Sequence, residues 1–95
     1  MSLALAPSDR PYLPRGVRVQ RDAVRDRMVL QAPEKVIELD DIGVAILSRV
    51  DGKTSFRQIV TDLATTYGAP TDQVETDVQH FLQALRSRLY VLVQT

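Results

Sequence analysis

The chain has 95 residues, 44% of them hydrophobic and 25% charged, with twelve Lys+Arg against twelve Asp+Glu. That length allows one domain with one core, and that composition excludes a disordered tail, a collagen-like fibre or a membrane span as its main character. Zero net charge leaves no whole-chain field to draw polyanions, and the absence of cysteine excludes a disulfide framework, a thiolate metal or iron–sulfur site and a Cys nucleophile.

Three of the five prolines, Pro7, Pro11 and Pro14, fall in the first fifteen residues. Proline fixes φ and lacks a donor, so residues 1–14 read as an extended, partly disordered tail, with residues 15–93 as the single domain. The apolar run in Met1–Ala6 is far shorter than the core of a signal peptide, and no basic residue precedes it. No stretch approaches the ~20 apolar residues of a spanning helix. A cytoplasmic protein without membrane contact is expected.

From Val17 the pattern has period two. Val17 and Val19 alternate with Arg18 and Gln20, as in a half-buried strand. A polar turn at Asp22–Asp26 leads to a second, more apolar strand at Met28–Ala32. Pro33 suits the first central position of a turn, and Val36–Leu39 follows as a third short strand. Two tight connections in a row predict a β-meander.

At Asp40 the period changes to 3.6. Asp40 or Asp41 caps a helix with Ile42, Ile46, Leu47 and Val50 on one face, and Gly52 suits its left-handed end. Ser55 and Gln58 have capping-box spacing ahead of the stripe Phe56, Ile59, Val60, Leu63, Ala64 and Tyr67, which Gly68 closes. Pro70 and Thr71 open a third helix with Val74, Val78, Phe81, Leu82 and Leu85 as its stripe. Leu89–Val93 either continues that helix or folds back as a strand. The sum is an α+β domain, a three-stranded antiparallel β-meander followed by three helices, winged-helix-like but with the wing first.

Catalysis finds few parts. His80 is the single histidine and lies off the apolar stripe, no nucleophile elbow accompanies any serine, and the four glycines are scattered. No catalytic residue, metal ligand or cofactor site is assigned, and the chain is read as no enzyme. The rival reading is a winged-helix DNA-binding regulator. Charge opposes it: the third helix opens with Asp72, Glu75 and Asp77, which suit the helix dipole and repel phosphate. Residues 1–39 carry seven cations and five anions, residues 40–95 five and seven, a weak dipole for a nucleic-acid footprint. The third reading is a peptide-binding module. Val36–Leu39 is a short edge strand whose outward N–H and C=O groups accept an added strand, and the third helix offers the wall of a groove. The same open edge allows pairing with a second copy of the chain.

Tyr12-Leu13-Pro14-Arg15-Gly16-Val17-Arg18, Val29-Leu30-Gln31-Ala32-Pro33-Glu34-Lys35-Val36, Leu39-Asp40, Ala45-Ile46-Leu47 and Asp51-Gly52 resemble the PqqD family, the peptide chaperones of pyrroloquinoline quinone biosynthesis. So does the downstream pattern Ile59-Val60, Leu63-Ala64, Tyr67, Ala69-Pro70, Asp77-Val78 and Phe81-Leu82. The resemblance spans roughly residues 10–90. It departs at Arg88-Leu89-Tyr90, where the family often has a glycine after the arginine. The resemblance implies that the chain binds the precursor peptide PqqA by β-strand addition. It would then present the peptide to PqqE, a radical S-adenosylmethionine enzyme that carries the cofactor chemistry. Carried over by position, the peptide strand lies along Val36, Ile37, Glu38 and Leu39, with Val74, Val78, Phe81 and Leu82 as groove-wall candidates. Arg18, Arg25 and Arg27 have two readings: solvated strand-face charges, or contacts to acidic groups of the peptide or the enzyme.

Overall fold

A computed structural model of the chain describes residues 3–94. The elements run β1 (Arg10–Tyr12), β2 (Arg18–Asp22), β3 (Arg27–Gln31), β4 (Val36–Glu38), α1 (Asp41–Leu47), α2 (Phe56–Tyr67), α3 (Thr71–Ser87) and β5 (Leu92–Gln94). The expected meander is present as the antiparallel sheet β2-β3-β4, and the three helices follow it. The α+β reading therefore holds, with one addition: β1 and β5 form a second, two-stranded antiparallel sheet. The C-terminal apolar run thus folds back as a strand rather than continuing the helix.

The meander faces the helices with one side only. Val17, Leu30 and Ala32 are buried in the core with Ile46, Leu47, Phe56, Ile59, Val60, Leu63, Val78, Leu82, Leu85 and Val91. The periodicities that mark these residues are the faces that meet there. Tyr67 is the exception in the α2 stripe. It ends the helix half exposed, because the ring lies past the last core contact.

The N-terminal segment differs most from expectation. Met1 and Ser2 lie outside the described residues. Residues 3–14, however, are packed on the body rather than set apart as a tail. Leu5 enters the core and Pro11 is fully buried. The Asp9 and Pro7 carbonyls accept from the Phe56 and Arg57 amides at 2.7 and 3.0 Å. With the Ser55 hydroxyl accepting from the Gln58 amide at 3.2 Å, the free donors at the start of α2 are satisfied. On α3, the Gln79 amide pairs in both directions with the Leu5 backbone, at 2.7 and 3.0 Å, and Arg86 donates to the Leu3 carbonyl. The prolines exclude helix and sheet interior, and an extended strap is the conformation they leave.

Helix ends follow their signals in four of five cases, Gly52 being the exception. The Asp40 carboxylate caps α1 by accepting from the Gly43 amide at 2.7 Å. Gly68 closes α2 with φ at 61°. Gly52 corrects the sequence reading: α1 ends at Leu47, so this glycine is no helix cap. It takes φ of 77° in the following turn, where its amide donates to the Pro11 carbonyl at 2.8 Å and its α-carbon lies against Tyr12. The same turn is pinned by Asp51. Amides of Lys53 and then Thr54 donate to its carboxylate and hold its pKa below the ordinary value.

The end of α3 explains the missing glycine. The Leu89 amide donates to the Arg86 carbonyl and the Tyr90 amide to the Leu85 carbonyl, both at 3.0 Å, the bond pattern of a Schellman motif. The residue after the cap must then be left-handed, and Leu89 takes φ of 64°. A Cβ there costs ~1 kcal/mol or more, and this side chain is mostly exposed. Leu89→Gly is therefore expected to stabilise the domain by about 1 kcal/mol, a rise in Tm of roughly 4–8 °C at this chain length. A thermal melt checks it, and an unchanged or lower Tm contradicts it.

Candidate functional site

β4 is the outermost strand of its sheet, and among the described residues no strand pairs with its outer edge. Its register is Val29↔Glu38, Leu30↔Ile37 and Gln31↔Val36. Ala32 and Lys35 exchange backbone hydrogen bonds at 2.8 and 3.4 Å, and the Leu39 amide donates to the Met28 carbonyl at 3.0 Å. Bonded pairs alternate in an antiparallel ladder, so Leu30/Ile37 is the bonded pair between them. The N–H and C=O of Val36 and of Glu38 therefore point to the open edge, and those of Ile37 point into the sheet.

Beside this edge runs a groove of about 660 Å³. One wall is Ile37, Glu38 and Leu39, the other Asp77, Phe81 and Leu85 of α3. Ile42, Gly43 and Ile46 of α1 close one end. A Cβ at Gly43 would lie 3.4 Å from both Leu39 Cδ2 and Phe81 Cε1, so the glycine lets α1 approach both walls closely. Asp77 neighbours Ile42 at this end. At the other, Pro33 and Glu34 lie beside Arg88, Leu89 and Tyr90. Strand and helix thus run antiparallel to each other along the groove.

Of the residues expected to form the site, Ile37, Glu38, Leu39 and Phe81 line this groove. Val36 stands on the same edge strand but does not line it; its side chain is on the outer face and exposed. Val78 and Leu82 are core residues, 2% and 0% exposed. Their face of α3 is turned into the core, whereas Phe81 is only partly buried at the groove rim and Leu85, 7% exposed, is a core residue that also lines the groove. Val74 lies one turn away in a second cleft, with Ile42, Tyr67 and Asp77. The sequence reading missed Asp40, Ile42, Gly43, Ile46, Asp77 and Leu85 as groove residues. Only two residues separate β4 from α1, so the first turn of α1 has to stand at the groove's end; that spacing was the available signal.

The three arginines part company. Arg27 lines the groove and donates to the Glu38 carboxylate at 2.7 Å across β3 and β4. Arg18 shares that face of the meander but stands on β2, the far edge strand, and donates to the Gln20 side chain at 2.9 Å. Arg25 is exposed in the β2–β3 turn. The Arg27–Glu38 pair is exposed on both sides, and such pairs contribute little to stability. His80 faces solvent as its position off the stripe predicts. Among the described residues no three metal-ligating side chains converge, and no helix is long and apolar enough to cross a membrane.

What the arrangement can do chemically is hold an extended chain. Its polar groups are backbone donors and acceptors at a strand edge, and its walls are apolar. The family model of PqqD, coenzyme PQQ synthesis protein D, matches residues 27–91. A PqqA binding protein of Xanthomonas axonopodis pv. citri is 44% identical over 79 residues, covering 83% of this chain and 86% of its own. The bifunctional coenzyme PQQ synthesis protein C/D of Methylorubrum extorquens is 44% identical over 85 residues, which are 90% of this chain and 23% of that protein. Among solved structures, the solution NMR structure of the PqqD truncation of Methylobacterium extorquens PqqCD superposes with a TM-score of 0.79. It is 41% identical, with 95% of this chain and 96% of that one covered, and is described as a functional, stand-alone recognition element for ribosomally synthesised, post-translationally modified peptides. The crystal structure of PqqD from Xanthomonas campestris gives a TM-score of 0.55 at 43% identity, covering 80% and 84% of the two chains.

Proposed function

We infer the function from one premise: this chain belongs to the PqqD family. It binds a PqqA precursor peptide as an added strand on β4 and presents it to PqqE, the enzyme that modifies the peptide. The single observation that carries this reading is the open edge of β4 beside an apolar groove. The relatives' names supply the ligand: two similar proteins are a PqqA binding protein and a peptide recognition element.

The geometry sets what the peptide must offer. Residues directly opposite each other in a ladder share a face of the sheet. Peptide residues facing Ile37 and Leu39 therefore point into the groove toward Phe81 and Leu85, and the residue between them, facing Glu38, stays on the outer face. That is an apolar-x-apolar pattern. The edge groups of Val36 and Glu38 give at most four backbone hydrogen bonds, each worth ~0.5–1.5 kcal/mol net. A micromolar complex needs about 8 kcal/mol. The ladder alone falls short, so the groove's apolar burial supplies much of the affinity as well as the selectivity. In this reading the chain catalyses nothing; it orders the peptide for the enzyme.

NMR titration of labelled protein with PqqA tests this. Amide shifts are expected to centre on residues 36–39 and on the groove face of α3 between Asp77 and Leu85. In the same preparation, PqqE is expected to modify the peptide faster with this protein than without it. No shifts at high peptide concentration would remove the binding reading, and equal rates with and without the protein would remove the presentation reading.

A further inference from the structure

The groove does not end at α1. It shares Ile42, Ile46 and Asp77 with a second cleft of about 210 Å³ between the three helices. We propose that this cleft is a subsite for one lysine or arginine side chain of the bound peptide, adjoining the strand-addition groove. The proposal rests on the peptide-binding reading above.

The walls of the cleft are apolar: Ile42, Leu63, Tyr67, Ala69 and Val74 contribute to them. Asp77 is the one charged residue in the lining, and no basic residue lines it. Among the described residues no hydrogen bond or ion pair engages the Asp77 side chain. Ile42 and Tyr67 are each about half exposed, 48% and 50%, unusual for a large aliphatic and a large aromatic on two helices that otherwise bury their stripes. An apolar cleft with an aromatic ring and a single carboxylate at its rim matches one side-chain chemistry. The methylene stem of a lysine or arginine packs against Ile42 and Val74, and its charge meets Asp77 and the face of Tyr67.

The alternatives are selected against. A purely apolar side chain would cover Asp77 and strip its hydration without a partner. An acidic side chain would meet the carboxylate directly. The location fixes where in the peptide the cation lies. Asp77 stands at the Leu39–Ile42 end of the groove, so the basic residue follows or precedes the apolar-x-apolar segment on that side. The subsite would thereby favour one register of the peptide on β4, a choice that the short backbone ladder leaves weakly specified.

The test is a double-mutant cycle read by fluorescence anisotropy with labelled PqqA. Asp77→Asn and Tyr67→Leu are each expected to weaken binding roughly three- to tenfold, as an exposed ion pair and a cation–π contact together allow. The Asp77→Asn effect is expected to shrink in high salt. Peptides carrying a single Lys→Gln or Arg→Gln replacement are then titrated against wild type and Asp77→Asn. One such replacement is expected to weaken wild-type binding and to make Asp77→Asn silent. Equal affinity of wild type and Asp77→Asn for PqqA overturns the subsite while leaving the groove reading intact. A loss at Asp77→Asn that no basic replacement in the peptide cancels also overturns it. If wild type itself fails to bind PqqA, the groove reading fails and the subsite with it.

Discussion

Ile37→Pro is expected to destabilise the domain strongly, and Glu38→Pro to leave it folded but unable to hold the peptide strand. Both substitutions fix φ and remove an amide donor, so the contrast between neighbours isolates where each donor points. The Ile37 amide faces β3, in the bonded pair with Leu30. Leu30 is fully buried and Ile37 packs on the same core. Proline there removes a ladder bond in a three-residue strand and leaves its acceptor on β3 unpaired, about 1–3 kcal/mol besides the strain of the fixed φ. A domain of this length has about 5–15 kcal/mol in total. The Glu38 amide faces the open edge, where only an added strand would use it. Glu38→Pro also removes the carboxylate paired with Arg27, an exposed contact of about 0–1 kcal/mol. Thermal melts and peptide titrations on both variants decide the matter. If Glu38→Pro binds PqqA like wild type, the peptide does not add to this edge. If Ile37→Pro melts like wild type, the register of β4 is wrong.

Deleting residues 1–12 is expected to destabilise the domain by about 5 kcal/mol or more and leave it largely unfolded at 37 °C. The deletion removes Leu5, 4% exposed, and Pro11 from the core. Losing one buried leucine alone costs about 2–5 kcal/mol. It also removes β1, the whole partner of β5, and both carbonyls that cap the first turn of α2. The Phe56 amide is then left without its acceptor beside a buried side chain, a further ~1–3 kcal/mol. Leu5→Ala is the gentler version, expected to lower stability by about 2–4 kcal/mol without changing the peptide contacts. Urea denaturation of all three proteins provides the comparison. A truncated chain with the midpoint of the full one would return this segment to the status of a loose tail.

The groove was legible in outline because its ingredients are local. A strand too short to be central, placed directly before a capped helix, is an edge wherever the sheet lies. Which stripe residues of α3 would face the groove was not legible. Val78 and Leu82 carry the same apolar signal as Phe81, and only the angle at which α3 meets the sheet separates core from rim. Asp77 read as a dipole-satisfying charge at a helix start. Its neighbours in the second cleft come from α1 and α2 as well as α3, so no window along the chain places them together.

Hydrophobic period, turn chemistry and caps determined the elements by themselves: the meander from Val17 to Leu39, the capping by Asp40 and Ser55, the left-handed stop at Gly68. These are interactions among residues at most a few positions apart, and the chain carries them wherever it folds. The rest was decided in three dimensions. The strap has no periodicity; Leu5 acquires its value from the core and from Gln79 of α3, and Pro11 from its pairing with Val93 of β5, partners more than seventy residues away. Gly52 has the composition of a helix end and instead meets Tyr12, and Leu89 has a side chain its backbone conformation disfavours. The parity of β4 is the sharpest case. Val36, Ile37, Glu38 and Leu39 alternate in either register, and a shift by one residue exchanges every inward and outward amide. Only the pairing of Ala32 with Lys35 and of Leu39 with Met28 selects which two donors remain for a peptide.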